Sequence, residues 1–152
     1  MGITLEIDTT EIARATESLQ GIAIRAGDIQ AAAMGIRLLI QQDVDLRFQT
    51  SPSTEIGGEV FGGEYWEALS EEYLLIRSDR LGGQILRDTG ELLQSMTAAG
   101  NPYEIFAVTE NELVFGTALA KASKLQVKRP FLFWHPILLG RVAEYIANYI
   151  GG

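Results

Sequence analysis

The chain has 152 residues, 47% of them hydrophobic, and its 12 basic and 20 acidic side chains give a net charge of −8. That length fits one domain over residues 1–152, large enough to bury roughly 70% of its unfolded surface without covalent staples. The absence of cysteine excludes disulfides, thiolate catalysis and thiolate zinc sites, and the acidic balance disfavours generic binding to a polyphosphate.

Ile3-Thr4-Leu5-Glu6-Ile7-Asp8 alternates apolar and polar side chains and predicts a strand. Thr9 or Thr10 can cap a following helix whose apolar face is Ile12, Ala15, Leu19, Ile22 and Ala23. Gly27 ends it, and Asp28 offers a cap for a long helix from Ile29 to near Phe48, with Ile29, Ala32, Ala33, Ile36, Ile40 and Val44 inward. Small residues at 31–33 and Gly35 make its first half thin enough for close packing. A Gly-rich loop follows at about residues 50–64, with turn chemistry at Ser51-Pro52-Ser53-Thr54. A loop of this length is either a mobile excursion or a segment that orders on a neighbour, with Val60 and Phe61 as anchors. Ser70 caps the next helix, Glu71 and Glu72 occupy its first turn, and Leu69 and Leu74 are spaced for a hydrophobic staple. Asp88-Thr89-Gly90-Glu91 reads as a capping box for a helix with Leu92, Leu93 and Met96 inward, stopped by Gly100-Asn101-Pro102. Residues 103–109 and 112–115 predict two strands joined by Glu110-Asn111 as a hairpin. Residues 118–124 suit a short helix or a loop. Residues 125–133 read as extended, with Pro130 at an edge or bend. His135-Pro136 starts a last helix, with Leu138, Val142, Tyr145 and Tyr149 on one face. The fold class is therefore α+β: a small antiparallel sheet packed against a long N-terminal helix and a C-terminal helix.

The chemistry-bearing residues are few. Nucleophilic catalysis of the Ser-His-Asp type needs a histidine beside a nucleophile, and the sole histidine, His135, lies between Trp134 and Pro136, where packing or helix initiation explains it. Asp43 and Asp45 lie two apart on a helix and read as a solvated face. The glycines at 57–63 lack the Lys-Ser or Lys-Thr of a phosphate loop. Lys121, Lys124, Lys128 and Arg129 form the one basic cluster, either a solvated patch or a contact for an acidic partner or a DNA backbone. The sequence thus singles out no catalytic residue, no cofactor site and no metal site. No membrane span is expected: residues 22–42 carry Arg25, Asp28 and Arg37, and the uncharged run 130–140 is too short. The first residues also lack the basic start of a signal peptide.

An ordered set of features resembles the phage virion morphogenesis family, the tail completion (tail terminator-like) proteins of Mu-like tailed phages. Phe48 closes a long amphipathic helix. A Gly-rich loop leads to Trp66, Leu69-Ser70 and Tyr73. Ile85-Leu86 and Thr89-Gly90-Glu91-Leu92 with Ser95, then Val114-Phe115-Gly116-Thr117, then Arg129-Pro130-Phe131-Leu132, follow in that family's order over residues 28–150. The segment 118–126 departs from the family pattern, with Ala120 and Gln126 its only echoes.

The resemblance implies a non-enzymatic structural subunit of the virion, assembled in the host cytoplasm. It would form a ring of its own copies, expected to be hexameric, at the head-proximal end of a tail. There it would complete the tail tube or sheath and meet neck or connector proteins, with genome DNA passing through the lumen unread and no membrane involved. A head-tail connector or head-completion subunit is the neighbouring alternative, and a small acidic carboxylate-dependent hydrolase the alternative of another class. The expected subunit-interface residues are Val60, Phe61, Trp66, Arg129, Phe131, Phe133 and Trp134, since aromatic side chains and arginine anchor contacts; core packing is the competing role for the aromatic ones.

Overall fold

The structure, a computed structural model, describes residues 2–8, 27–110 and 112–151. The expected helix with its apolar face from Ile12 to Ala23 lies outside the described residues. In chain order come β1 (Ile3–Asp8), α1 (Asp28–Ala31), α2 (Ala33–Gln49), β2 (Gly58–Glu59), β3 (Tyr65–Trp66), α3 (Glu71–Ile76), a 3-10 turn (Ser78–Arg80), α4 (Glu91–Thr97), β4 (Glu104–Val108), β5 (Glu112–Thr117), α5 (Ala122–Lys128) and α6 (Pro136–Gly151). The α+β class holds.

The sheet has the order β1-β5-β4, antiparallel throughout. Residues directly opposite one another share a face. Leu5, Phe115 and Phe106 therefore form one cross-strand row, and Ile7, Leu113 and Val108 the next. Leu5, Ile7, Leu113 and Phe115 are buried, so this is the core face. β5 runs two residues beyond the expected strand, through Gly116 to Thr117. Its last side chain is buried and satisfied: Thr117 Oγ1 lies 2.7 Å from Ser95 Oγ on α4 and accepts the Leu119 backbone N–H at 3.2 Å.

The expected long helix is divided at Ala32 into α1 and α2. All six residues assigned to its inner face are buried. α2 packs against both α4 and α6. Its thin stretch is used as its composition suggests: the ring of Tyr145 on α6 lies where a Cβ on Gly35 would stand. Tyr145 and Tyr149 themselves stay exposed, and the buried face of α6 is completed by Ala143, Ile146 and Ala147. Small side chains there let the two helix backbones approach.

Ser70 caps α3 as expected, its Oγ accepting the Tyr73 backbone N–H at 3.1 Å. The capping box at α4 does not form. Gly90 occupies the N-cap with φ 78°, Thr89 Oγ1 accepts from the Glu91 N–H at 3.3 Å, and Asp88 instead pairs with Arg77 at 3.1 Å.

The extended segment expected at residues 125–133 is not a strand. Residues 122–128 are the helix α5, and the third strand of the sheet is β1. The alternation of Leu125, Val127, Phe131 and Phe133 imitates a strand, yet Ala122 and Leu125, three apart, point inward together and Val127 is 81% exposed. Helix periodicity prevails up to Pro130.

Candidate functional site

The irregular stretch from Arg129 to His135 is the organising centre of the molecule. Backbone leaving a helix without entering a sheet still needs partners for its buried groups. Here side chains supply them. Trp66 Nε1 donates to the Pro130 carbonyl at 2.6 Å, Arg47 Nη1 to that of Phe131 at 2.8 Å, and Gln126 Nε2 to that of Leu132 at 2.6 Å. Gln126 Oε1 also accepts the N–H groups of Phe131 and Leu132, at 3.0 and 3.2 Å. This clamp replaces the ladder that a strand would have had.

Beneath it lies a buried ionic network. Asp43 Oδ2 accepts from Arg47 Nη2 at 2.7 Å, and Asp43 Oδ1 lies 2.6 Å from His135 Nε2. Arg47 Nε donates to the Phe61 carbonyl at 2.7 Å, and its guanidinium sits 4.1 Å from the ring centroid of Phe133. His135 meets Phe61 edge-on at 5.3 Å and Phe133 at a 58° tilt at 5.7 Å. Removal from water pulls the Arg47 pKa below its ordinary value, outweighing the charge and hydrogen bond of Asp43, which raise it. Gly62 fits the same knot: at φ +106° it leaves no room for a Cβ, which would stand 2.7 Å from Phe133 Cε2. The network ties α2, the 50–64 segment and the start of α6 into one unit.

The expected loop at 50–64 is accordingly a packed segment. β2 and β3 pair through Gly58–Trp66 and Glu59–Tyr65. The Thr54 N–H donates to Gly83 O, the Ile85 N–H to Pro52 O and the Leu69 N–H to Thr54 O. Val60 is buried, so the anchor faces its own subunit.

The expected interface residues separate. Val60, Trp66 and Phe131 are core side chains; a group with no surface left offers nothing to a neighbour. Phe48 meets the Trp66 and Phe131 rings edge-on at 5.7 and 6.3 Å, and each such side chain contributes about 1.5–3 kcal/mol of burial. Phe61, Phe133 and Trp134 are half-buried, Trp134 with its Nε1 donating to Glu6 O at 2.8 Å. Arg129 uses Nε and Nη2 on the carbonyls of Glu67 and Ala68, at 2.8 and 3.0 Å.

Asp43 and Arg47 were missed as a site. Asp43 is buried, which corrects the solvated-face assignment. The signal was available: Ile36, Ile40, Asp43 and Arg47 recur at helical spacing on one buried stripe, and an i,i+4 acid-base pair interrupting an apolar stripe announces a buried ion pair. Gln126 carried no such signal. What the network can do is hold segments together. Both oxygens of Asp43 are engaged and His135 is buried.

The open surface offers other chemistry. A cavity of about 200 Å³ between α3 and α5 is lined by Leu69, Tyr73, Leu86, Leu125, Lys121 and Arg129, among others. Leu86, with φ 62°, is the one positive-φ residue besides glycine among the described residues. A second groove, about 460 Å³, is formed by Glu55, Leu69, Glu71, Leu74, Leu75 and Leu81. Leu75 and Ile76 on α3 are each 83% exposed, and Met34 on the outer side of α2 is 63% exposed. Among the described residues no group of three His, Asp or Glu is placed to hold a metal ion, and no helix is long and apolar enough to cross a membrane. No family model, no curated protein and no solved structure matches the chain.

Proposed function

We propose that this chain is a structural virion subunit that forms a ring, hexameric by the family resemblance, at the head-proximal end of a phage tail, completing the tail and joining it to the neck. The observation that carries the reading is the pair of separated apolar surfaces. One is built from Leu75 and Ile76 on α3, Leu81 after it and Ile56 in the 50–64 segment; the other lies on the outer sides of α2 and α6, from Met34, Leu38, Tyr145 and Tyr149. Met34 and Leu38 stand on the first half of α2, about 25 Å long at 17 residues, whereas the chain after Leu81 is tied to its C-terminal end, Gln84 Nε2 donating to the Gln49 carbonyl at 3.2 Å and the Gly82 N–H to Glu55 Oε1 at 2.8 Å. Two different sticky faces on one subunit suit head-to-tail contacts, which close into rings when the rotation per copy divides a full turn. Exposed leucine and isoleucine gathered in patches, Leu75 and Ile76 each 83% exposed, mark interaction surfaces.

The ordered motifs support the phage assignment, and the fold gives them work: Trp66, Phe131 and the Thr117 end of β5 are core or clamp residues. The net charge of −8 suits an acidic bore through which DNA slides without sticking.

Imaging of tailed particles that carry the protein tests the reading. A closed ring of this subunit at the tail–neck junction is expected, with tails that fail to join heads when it is deleted. Particles that assemble normally without it, or a turnover abolished by changing one acidic side chain, would overturn the assignment.

A further inference from the structure

We propose that the exposed face of α5 docks into the groove beside α3 of a second copy of this chain. The proposal rests on the ring reading and specifies one of its contacts. At 100° per residue, Lys124, Val127 and Lys128 fall within about 100° of arc, so an aliphatic knob, Val127, 81% exposed, stands at one edge of that arc beside two exposed cations. The groove is its complement: four leucines, Leu69, Leu74, Leu75 and Leu81, line it together with the exposed Glu55 and Glu71.

The charges involved are unused inside the subunit. Among the described residues Lys124, Lys128, Glu55 and Glu71 form no ion pair. Glu55 only accepts a backbone N–H, from Gly82 at 2.8 Å. Knob and groove cannot meet within one copy. The cavity of about 200 Å³ lies between α5 and α3, where Tyr73 lines it, whereas the groove is lined by Glu71, Leu74 and Leu75, which lie 100° or more around α3 from Tyr73. In a chain of charge −8, copies repel unless a contact aligns opposite signs. Duplex DNA would use the lysines but leave Val127 and the groove without a role.

The test uses the full chain in sedimentation velocity across concentration. Two variants reverse the charges: Lys124→Glu with Lys128→Glu, and Glu55→Lys with Glu71→Lys. All four positions are exposed, and circular dichroism checks the fold. Self-association of each variant should weaken roughly tenfold or more, and an equimolar mixture should recover it, because each variant's knob then suits the other's groove. Val127→Asp and Leu75→Asp, each impaired alone, should combine into a 1:1 dimer that grows no further. Wild type that associates while every variant does likewise sinks this contact and leaves the ring reading standing. Wild type that stays monomeric in solution overturns the contact, and absence of the protein from particles overturns the ring reading as well. Lysine variants that lose affinity for duplex DNA without change in association assign the stripe to DNA instead.

Discussion

Replacing Asp43 with Ala tests whether the buried network is a strut held at a net electrostatic cost. Arg47 is fully buried and makes three strong contacts: to Asp43 at 2.7 Å, to Phe61 O at 2.7 Å and to Phe131 O at 2.8 Å. Its lowered pKa, with desolvation the largest cause, means that burial costs more than Asp43 returns. Removing Asp43 leaves that cost uncompensated, so Asp43→Ala should destabilise by about 3–5 kcal/mol. That is a large part of a typical total of roughly 5–15 kcal/mol. With a urea slope of about 2 kcal/mol/M, the midpoint of denaturation should fall by about 1.5–2.5 M. Asp43→Asn, which keeps an acceptor for Arg47, should fall between Ala and wild type. The double variant Asp43→Leu with Arg47→Leu should cost less than the sum of its single changes, by about 1–3 kcal/mol, since no buried charge is then stranded. A loss below about 1 kcal/mol for Asp43→Ala, or strict additivity in the double variant, would refute the reasoning.

Gly62→Ala and Gly63→Ala share a positive φ but differ in room: a Cβ at 62 would meet Phe133 and Arg47, while at 63 nothing lies within 4 Å. Both should lose about 1–2 kcal/mol to backbone strain, and Gly62→Ala should lose more in the same denaturation assay; equal losses would remove Gly62 from the packing argument. Gln126→Ala deprives two N–H groups and one carbonyl of their partner, and a loss of about 2–3 kcal/mol is expected, with faster hydrogen exchange at Phe131 and Leu132. The hydrogen bond from Arg77, followed by its positive charge, holds the Asp79 carboxyl below its ordinary 3.8. The contribution of this pair is therefore complete above pH 3.8 and is lost as pH falls through the lower folded value. Carboxyl NMR should place the Asp79 midpoint below 3.8 in the protein and return it upward in Arg77→Ala; an unmoved midpoint would deny the contact.

The elements legible in the sequence are those whose periodicity acts alone. The inner face of α1 and α2 follows from 3.6-residue spacing, β1 from simple alternation, and the β4–β5 hairpin from two short apolar runs around a turn. Ser70 announces α3 because an N-cap needs only its own helix. What escaped depends on partners distant in sequence. The clamp on residues 130–132 is made by Trp66, Arg47 and Gln126, and nothing local tells a glutamine on α5 from a solvated one. The capping box failed for a related reason. Arg77, eleven residues upstream, draws Asp88 into an ion pair, and Gly90 then serves as the cap through its left-handed backbone.

The aromatic content of the 129–134 segment first suggested subunit contact, and its fate bears on how such a contact must be built. An irregular segment carrying three large aromatic side chains has little ladder energy of its own, so it holds its shape by burying Phe131 and borrowing hydrogen bonds from three other elements. Phe131 is then committed to the subunit, and Phe133 and Trp134 are half-buried against it. In the proposed ring, association would fall to side chains whose removal would not loosen the core: Leu75, Ile76, Val127 and Met34, each more than half exposed. They stand on helices α2, α3 and α5, rigid enough to present them in fixed geometry. A ring assembled this way separates folding from assembly. Its subunits would fold as monomers, held apart at low concentration by their net charge of −8, and would associate as concentration rises. The signature of such a division is that surface variants at Val127 or Leu75 change association while leaving the urea midpoint in place, whereas Phe131→Ala lowers the midpoint first.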